Sequence, residues 1–292
     1  MTDTSNTTDL TLVKAWNGAQ KRLKAAHIDS PAIDARLLLE AATGFTRTDI
    51  ITDPYKLITP EQNATLDDYL SRREKRVPVA RILGRKGFWK LLLNLTPDVL
   101  VPRPETECLV DMILKTTTPD QAFTVADLGV GSGAILLSIL SERPAAKGLG
   151  TDVSEEALAV ARDNAANLGI GSRAAFLRTS WASGLDDESF DYVASNPPYI
   201  QSHVIPTLEP EVKDHDPMLA LDGGESGLDA YVDLIPDLYR ILKKGGGAWV
   251  EIGYDQADAV EGLMKKAGFF NVVTYKDLSD QPRIVVGTKI GL

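Results

Sequence analysis

An apolar run that ends in three spaced glycines and opens at once into a second apolar run constrains this fold more than any other feature. Residues 123–142 read FTVADLGVGSGAILLSILSE, in which Gly129, Gly131 and Gly133 separate a strand-like segment from a helix-like one. Glycines at this spacing let the backbone turn tightly and approach a ligand closely. The order strand, glycine loop, helix predicts one unit of a parallel sheet that is covered by helices.

The same alternation continues to the end of the chain. Further strands are predicted within KGLGTDV, AAFLRTS, FDYVASN, GAWVEIG, FNVVTYKDL and PRIVVGTK, and further helices within SEEALAVARDNAANLG, LDAYVDLIPDLYRILKK and QADAVEGLMKKAG. We therefore expect an α/β fold over residues 106–292, with a doubly wound, mainly parallel sheet of seven strands. The glycines at 245–247 are expected to form a tight turn into the fifth strand rather than a phosphate loop.

The first 85 residues have the pattern of a small helical bundle. Five apolar residues near the start fall on one face at helical spacing: Leu12, Ala15, Trp16, Ala19 and Leu23. A second helix is expected to begin with a Ser-Pro pair and to end at Gly44, and a third to begin at Thr59 and Pro60. Residues 86–105 hold apolar stretches around Asn94 and two prolines that bar a regular helix, so they predict a β-hairpin or an extended linker.

The charge balance differs between the two parts. Residues 1–85 carry 13 Lys+Arg and 11 Asp+Glu, whereas residues 86–292 carry 18 and 30, within a net charge of −10 for the chain. An acidic chain disfavours a broad nucleic-acid footprint, which needs a basic face. The basic run RREKR at 72–76 is compatible with RNA or an acidic partner, but we favour a solvated helix end, where the helix dipole stabilises cations.

Cysteine usage and the chain start bear on the cellular compartment. Cys108 is the single cysteine of the sequence, which fits a reducing cytosol. No apolar run approaches the roughly 20 residues that a membrane-spanning helix needs. The start, MTDTSNTTDL, is unlike a signal peptide, and its first eight residues are expected to be disordered. We therefore expect a cytoplasmic protein without a membrane segment.

The glycine loop predicts a nucleotide-binding site. Its residues are Gly129, Val130, Gly131, Ser132 and Gly133. The helix that follows would offer free N–H groups. Asp152 ends the second strand, 19 residues after Gly133, where an acid can accept hydrogen bonds from both hydroxyls of a ribose. The loop also satisfies the dinucleotide pattern through Ala134, so NAD stays open at this point. Asp152 could also merely precede a helix that Ser154 caps.

The fourth strand, FDYVASN, runs into two prolines and a tyrosine at residues 197–199. In a doubly wound sheet this strand should lie beside the first, so Asn196 would reach the edge next to the glycine loop. Its amide offers one acceptor and two donors. The carbonyls of Pro197 and Pro198 can accept hydrogen bonds while their rings stiffen the chain, and Tyr199 offers a flat face. Together these residues predict a clamp for a planar NH₂ group.

These motifs resemble those of class I S-adenosylmethionine-dependent methyltransferases that act on a planar nitrogen, among them N6-adenine and protein-glutamine methyltransferases. LVPRPETE at 100–107, PMLALDGGESGLD at 217–229 and the helical N-terminal part resemble the release-factor glutamine methyltransferase family (HemK/PrmC). Two segments depart from the family pattern. KDHD at 213–216 stands where the family tends to carry Glu-Pro, and SDQPR at 279–283 replaces a usual Gly-x-Asp-Arg.

The resemblance implies a Rossmann-like methyltransferase fold and a reaction. The donor would be S-adenosylmethionine, the product S-adenosylhomocysteine, and the acceptor the glutamine amide in the Gly-Gly-Gln motif of peptide chain release factors. Asn196, Pro197 and Tyr199 would be catalytic, and with Pro198 they would bind the substrate. The glycine loop, Asp152 and Asn196 would bind the cofactor.

Further positions follow from the same resemblance. Trp181 would lie beside the adenine, although a place in the core stays open for it. Arg103, Glu105 and Glu107 are expected at the entrance or in the cofactor pocket. Residues 1–85 would dock the protein substrate, residues 86–105 would form the linker, and the protein would be a monomer.

We expect no metal, because the histidines His27, His203 and His215 lie in no cluster with ligand spacing. No membrane and no direct nucleic-acid partner are expected. Four alternatives stay open: a ribosomal-protein glutamine methyltransferase, an N6-adenine methyltransferase, a non-enzymatic S-adenosylmethionine-binding module and a nicotinamide oxidoreductase. The last of these rests on the glycine pattern alone and leaves Asn-Pro-Pro-Tyr without an explanation.

Overall fold

A computed structural model describes residues 10–291. The chain divides into two compact units, with the boundary between Gly84 and Arg85. The disorder expected for the first eight residues concerns a segment outside the described range.

The first unit is helical. Its helices are α1 (Leu12–Ala25), α2 (Pro31–Thr43), α3 (Arg47–Thr52), α4 (Pro60–Glu74) and α5 (Val79–Leu83). The apolar stripe predicted on α1 faces the core of this unit, where Leu12 and Leu23 are fully buried. As predicted, α2 ends at Gly44, which adopts φ +74°. The Thr59 hydroxyl accepts from the N–H of Gln62 at 3.2 Å and so caps α4.

The basic run at 72–76 lies at the end of α4, as predicted, but it is solvated only in part, because Lys75 is exposed whereas Arg73 is not. Arg73 is buried, and its Nε lies 2.7 Å from Oδ2 of Asp34 on α2. The next residue, Glu74, pairs with Arg22 of α1 at 2.8 Å. A buried guanidinium needs a charged or hydrogen-bonding partner, so Arg73 holds this end of α4 to α2 while Lys75 faces water.

The second unit holds a small hairpin and a larger sheet with helices. Its hairpin strands are β1 (Arg85–Phe88) and β2 (Leu91–Asn94). The sheet is built from β3 (Thr124–Leu128), β4 (Lys147–Asp152), β5 (Ala174–Arg178), β6 (Phe190–Ser195), β7 (Leu242–Glu251), β8 (Phe269–Lys276) and β9 (Pro282–Lys289). The helices are α6 (Glu107–Lys115), α7 (Ala134–Glu142), α8 (Glu155–Asn167), α9 (Pro210–Lys213), α10 (Asp229–Ile241) and α11 (Ala257–Ala267).

The topology of the larger sheet confirms the predicted fold class. Within the described residues it has seven strands in the order β5-β4-β3-β6-β7-β9-β8. β9 pairs antiparallel with β7 and β8, and the other pairs are parallel. β6 lies directly beside β3, as the sequence predicted for its fourth and first strands.

Alternate residues of the central strands enter two cores on opposite faces of this sheet. Val125 of β3 packs in the core that includes residues of α6, α7 and α8, whereas Ala126 and Leu128 pack in the core that includes residues of α10 and α11. Successive side chains of a strand point to opposite faces, so both faces of β3 are covered. A strand buried on both sides can present ligand-binding groups only at its end.

Of the two structures predicted for residues 86–105, the hairpin is present. β1 and β2 are joined at Trp89 and Lys90, and Asn94 ends β2. Trp89 has φ +54°, and the Oε1 atom of Glu107 accepts from its N–H at 2.8 Å. A carboxylate from α6 therefore stabilises a turn conformation that a tryptophan rarely adopts, which no pattern within the hairpin itself indicates.

The glycines at 245–247 do not form a turn before β7, which is a second correction. β7 begins at Leu242, and the pairing with β6 shifts from Phe190–Leu242 to Tyr192–Gly247, so the intervening residues form a bulge inside the strand. Gly245 adopts φ +80°, and a Cβ on Gly246 would lie 2.8 Å from the Asp191 carbonyl oxygen. The glycines therefore permit a bulge in β7. The helix before them, α10, ends at Ile241, three residues before the end of the predicted helix.

Candidate active site

Two neighbouring strand ends place the glycine loop and the Asn-Pro-Pro-Tyr segment side by side. β3 and β6 are parallel, so the residues that follow Leu128 and Ser195 emerge at the same edge of the sheet. The Ser195 hydroxyl donates to the Leu128 carbonyl oxygen at 2.6 Å, and Ser195 is fully buried. This shielded hydrogen bond joins the side chain of the residue just before Asn196 to the backbone just before Gly129.

A cavity of about 390 Å³ opens at this edge. It brings together these residues predicted for the cofactor site: Gly129, Val130, Gly131, Ser132, Asp152, Trp181 and Asn196. Pro197 and Pro198 also line it. Gly133 is not among its lining residues; it precedes α7 with φ +86°, where a Cβ would lie 2.8 Å from Leu137. The volume falls in the range of roughly 300–1,000 Å³ that small-molecule sites occupy.

Asp152, at the end of β4, is oriented by backbone donors. Its Oδ2 accepts from the N–H of Gly131 at 3.0 Å, and its Oδ1 accepts from the N–H of Ser154 at 3.0 Å. Ser154 itself caps α8, because its hydroxyl accepts from the N–H of Ala157 at 3.0 Å. A carboxylate has about four acceptor positions, so both oxygens can still accept from two further donors such as vicinal hydroxyls.

Trp181 belongs both to the cavity and to the core. It has φ +48°, a region that bulky residues rarely adopt, and its carbonyl accepts from the Thr151 hydroxyl at 2.8 Å. The ring packs against the core on the α10 side of the sheet, and a Cβ on Gly129 would lie 3.6 Å from it. Strained backbone that the surrounding structure holds in place is common at ligand sites. The ring thus forms a fixed wall of the cavity.

The Asn196 side chain is half-buried, and its Nδ2 end is hydrogen-bonded. Its Nδ2 donates to Oγ1 of Thr106 at 3.2 Å. Among the described residues, Asn196 Oδ1 and the carbonyls of Pro197 and Pro198 accept no hydrogen bond. Three acceptors on residues that line the large cavity thus remain available for a donor-rich NH₂ group.

Tyr199 lies behind the large cavity rather than in its wall. Tyr199 lines a smaller cavity of about 60 Å³, which Asn196 and Pro197 also line. Its hydroxyl lies 3.5 Å from Oε1 of Glu251. Burial, aided by the charge of Glu251, raises the pKa of Tyr199 to about 12, so the phenol stays protonated at neutral pH. That the flat face of Tyr199 meets the substrate stays a prediction.

Gln256 is a site residue that the sequence did not indicate. Its buried Nε2 donates to the carbonyl oxygens of Tyr199 and Gly227, each at 3.0 Å. Its Oε1 accepts from the N–H of Gly253 at 2.9 Å and from the Tyr231 hydroxyl at 3.3 Å. The Gln256 amide thus holds the Asn-Pro-Pro-Tyr loop through the Tyr199 carbonyl. Its partner Tyr199 lies 57 positions away, so no local pattern could mark this role.

The glycines of LDGGESGLD pack against the same loop. A Cβ on Gly223 would lie 2.8 Å from the Cα of Tyr199, and one on Gly227 would lie 2.7 Å from the Tyr199 carbonyl oxygen. Only residues without a side chain allow this close backbone approach. The segment at 221–229 therefore supports the loop physically, although the sequence marked it only through a family resemblance.

The PRPETE segment contributes differently from the expectation. Pro102, Arg103 and Thr106 line the large cavity, whereas Glu105 and Glu107 do not. Glu107 holds the hairpin turn instead, and Glu105 is exposed. The two acids therefore do not line the cofactor cavity, because the short helical turn at 104–106 directs Thr106 inward, and a place at the entrance stays a prediction.

The two segments that depart from the family pattern, 213–216 and 279–283, each supply one residue of an ion pair near the site. Arg103 donates to Oδ2 of Asp216 at 2.6 Å, and the Asp216 side chain is 1% exposed. Arg283 donates to Oδ2 of Asp277 at 3.1 Å. His203 and His215 line neither cavity. Among residues 10–291, no group of three or more His, Cys, Asp or Glu side chains could hold a metal ion, and no helix is long and apolar enough to cross a membrane.

Asp127 is a buried carboxyl directly beneath the glycine loop. Its Oδ2 accepts from the N–H of Leu136 at 3.2 Å, so one of the N–H groups predicted to be free at the start of α7 is taken. Its Oδ1 has no hydrogen-bond partner among the described residues. Burial, with a smaller contribution from the charge of Asp152, raises the pKa of Asp127 to about 8.

This raised pKa predicts a pH-dependent stability. The unfolded chain releases the Asp127 proton near pH 3.8, whereas the folded protein keeps it up to about pH 8. Folding therefore takes up a proton between these values, and the free energy of unfolding should fall by up to about 1.4 kcal/mol per pH unit across that window. In Asp127→Asn this contribution is absent. Urea unfolding from pH 5 to 9 should show the variant gaining on the wild type up to about pH 8 and then levelling off.

Asp120→Asn serves as the control, because it removes an exposed carboxyl from the same unit. Its unfolding free energy should follow the wild-type pH profile. An Asp127→Asn difference that stays constant from pH 5 to 8 would show that the Asp127 carboxyl titrates alike in the folded and unfolded protein.

Comparisons with known proteins agree with this geometry. Residues 14–84 match the family model for the PrmC N-terminal domain, and residues 105–209 match that for the methyltransferase small domain. The chain shares the fold of a methyltransferase from Pyrococcus furiosus, with a TM-score of 0.50 and 19% identity over 68% of this chain and 89% of that one.

Relatives align over nearly the full length. A release factor glutamine methyltransferase from Caulobacter vibrioides is 61% identical over 96% of this chain and 97% of its own. One from Agrobacterium fabrum is 40% identical over 95% of this chain and 97% of its own. The chain therefore belongs to the release factor glutamine methyltransferase family.

Proposed function

We propose that this protein transfers a methyl group from S-adenosylmethionine to the side-chain amide nitrogen of the glutamine in the Gly-Gly-Gln motif of peptide chain release factors. The observation that carries the proposal is the Asn196 side chain, which lines both cavities and is hydrogen-bonded at Nδ2 while its Oδ1 accepts no hydrogen bond among the described residues. The names of the relatives point to the same acceptor.

The large cavity suits S-adenosylmethionine. Asp152 keeps acceptor positions for the two ribose hydroxyls, and the Trp181 ring offers an apolar wall for a flat base. Gly131 adopts φ +51° and has open space where a Cβ would stand, so the loop leaves room for a ligand. When bound, S-adenosylmethionine supplies an electrophilic methyl group on a sulfonium centre.

The clamp addresses the weakness of an amide as a nucleophile. The nitrogen lone pair of an amide is delocalised into its carbonyl, so the nitrogen must be held and aimed. Asn196 Oδ1 and the Pro197 carbonyl would accept the two amide protons and hold the nitrogen toward the large cavity. Such positioning can supply up to about 7–11 kcal/mol of barrier reduction. Tyr199 stays a neutral phenol and acts by packing, and the surplus proton can leave after transfer.

The helical unit is proposed to dock the release factor. It exposes apolar side chains that lie close together in sequence, Ile51, Tyr55 and Leu57, with exposed fractions of 65%, 78% and 53%. Exposed apolar side chains that cluster are typical of protein-binding surfaces. Residues 86–292 carry 18 Lys+Arg against 30 Asp+Glu, which suits a protein acceptor better than nucleic acid. A cytoplasmic, monomeric protein stays a prediction.

A labelling experiment tests the acceptor. The protein is incubated with S-adenosylmethionine carrying a labelled methyl group and, separately, with a release factor, the same factor with Ala in place of the Gly-Gly-Gln glutamine, a ribosomal protein and DNA. Mass spectrometry should place the label on that glutamine and find none on the Ala-substituted factor. Label on adenine or on ribosomal protein, with an unlabelled release factor, would overturn the proposal.

Two variants separate the clamp from the cofactor site. Asn196→Ala removes the open acceptor, so kcat should fall by at least about 100-fold while the affinity for S-adenosylmethionine, measured by calorimetry, stays near the wild-type value. Asp152→Ala removes the carboxylate proposed to hold the ribose and should raise the cofactor Kd by about 10- to 100-fold. Near-normal turnover by Asn196→Ala would contradict the clamp, and an unchanged Kd in Asp152→Ala would contradict the cofactor pose.

A further inference from the structure

Two segments outside the sheet complete the wall of the large cavity. One is residues 98–103, which precede α6, and the other is residues 217–220, which we call the strap. Most residues of both segments line the cavity, and neither segment is part of a strand or an α-helix. Their positions therefore depend on individual contacts rather than on the ladder of the sheet.

The end of the strap is fixed to the Asn-Pro-Pro-Tyr loop by backbone hydrogen bonds. The N–H of Ile200 donates to the carbonyl oxygen of Leu221 at 3.0 Å, and the N–H of Gly223 donates to the carbonyl oxygen of Ile200 at 2.8 Å. Ile200 directly follows Tyr199, and Leu221 directly follows the strap. This end of the strap is therefore held by the loop that carries the proposed clamp.

Asp216 fixes the start of the strap to the other segment. It directly precedes the strap, and its side chain is 1% exposed. Its Oδ2 accepts from Arg103 at 2.6 Å, and its Oδ1 accepts from the N–H of Val101 at 3.2 Å. Val101 is itself buried. Because a buried carboxylate and a buried N–H both need partners, separating the two segments would leave costly polar groups on each of them.

Packing contributes little to holding the strap itself. None of its four residues is buried, and Met218 and Leu219 are 54% and 60% exposed. Stabilisation by apolar burial scales with the area removed from water, so side chains this exposed contribute a small part of it. The hydrogen bonds at the two ends of the strap therefore decide its position over the cavity.

Arg103 gives the contact a second consequence. It lines both the large and the small cavity, as Asn196 and Pro197 do. An arginine side chain has many rotamers, and a charged partner selects one of them. The Asp216 carboxylate thus fixes a cavity-lining side chain as well as two stretches of backbone.

We propose that Asp216 is a positioning residue that holds the strap and residues 98–103 together as one wall of the cofactor cavity. The inference rests on the proposed function, since the large cavity is the site proposed for S-adenosylmethionine. Without the carboxylate the strap stays attached at Ile200 alone, and fewer molecules have a complete cavity wall. The apparent affinity for the cofactor then falls in proportion to the fraction that does.

Hydrogen exchange of the free protein tests the contact without any ligand. In Asp216→Ala the N–H of Val101 loses its acceptor, so its exchange with deuterated water should become at least about tenfold faster. The N–H groups of Gly223, at the other end of the strap, and of Val125, in β3, should exchange within about threefold of their wild-type rates. Asp214→Asn, which changes an exposed carboxyl two positions away, is the control and should leave all three rates unchanged.

Two outcomes of this experiment would overturn the inference. One is a wild-type exchange rate at Val101 in Asp216→Ala, which would show that the carboxylate does not protect this N–H. The other is an equal acceleration at Val101, Gly223 and Val125, which would show a general loss of stability instead of a local release.

Calorimetry with S-adenosylhomocysteine tests whether the contact serves the cavity. Asp216→Ala should raise the Kd by about 10- to 100-fold, mainly through faster dissociation. Asp216→Asn keeps an oxygen for the N–H of Val101 but loses the charge that pairs with Arg103, so its Kd should lie between those of the wild type and Asp216→Ala. Asp214→Asn should bind as the wild type does. A wild-type Kd in Asp216→Ala would overturn the inference.

A double variant tests the part played by the ion pair. Arg103→Met and Asp216→Asn break the same pair, so the protein carrying both should bind S-adenosylhomocysteine no more than about twofold more weakly than the weaker single variant. Losses that multiply would show that Asp216 does not act through Arg103 and would overturn the inference. A wild-type protein that does not bind S-adenosylhomocysteine would count against the proposed function, whereas the exchange rate of Val101 would still decide whether Asp216 joins the two segments.

Discussion

The hydrogen bond from the Ser195 hydroxyl to the Leu128 carbonyl joins the two strand ends on which the site depends. One strand continues into the glycine loop and the other into Asn-Pro-Pro-Tyr, so their separation is set by the spacing of paired strands rather than by flexible loops. Covering both faces of the sheet leaves the strand ends as the place where polar groups can meet a ligand. The proposed methyl donor and the clamp for its acceptor thus share one rigid edge.

A buried carboxyl lies next to each of the two loops. Asp127 lies beneath the glycine loop and Glu251 behind the clamp, and burial raises the pKa of the first to about 8 and of the second to about 7. Each has one oxygen without a hydrogen-bond partner among the described residues. Stability alone would favour apolar residues at these two buried positions.

Much of this site could be predicted from the sequence, because its residues sit at strand ends that apolar runs make visible. Gly129, Asp152 and Asn196 each follow or end such a run, and parallel pairing brings them to one edge. Gln256 and Asp216 could not be found in this way, since their partners are set by packing across distant segments.

Three other outcomes show the limits of local patterns. Thr106 lies within a segment that the sequence marked, but only the turn at 104–106 decides that it faces inward while Glu105 and Glu107 do not. The bulge at 245–247 depends on pairing with β6, and the burial of Arg73 depends on Asp34 in another helix.

The most direct measurement is a crystal structure with S-adenosylhomocysteine and a Gly-Gly-Gln peptide. We predict that the glutamine NH₂ donates to Asn196 Oδ1 and the Pro197 carbonyl at roughly 2.7–3.2 Å, with its nitrogen facing the sulfur. A glutamine bound with its amide away from Asn196 would contradict the clamp.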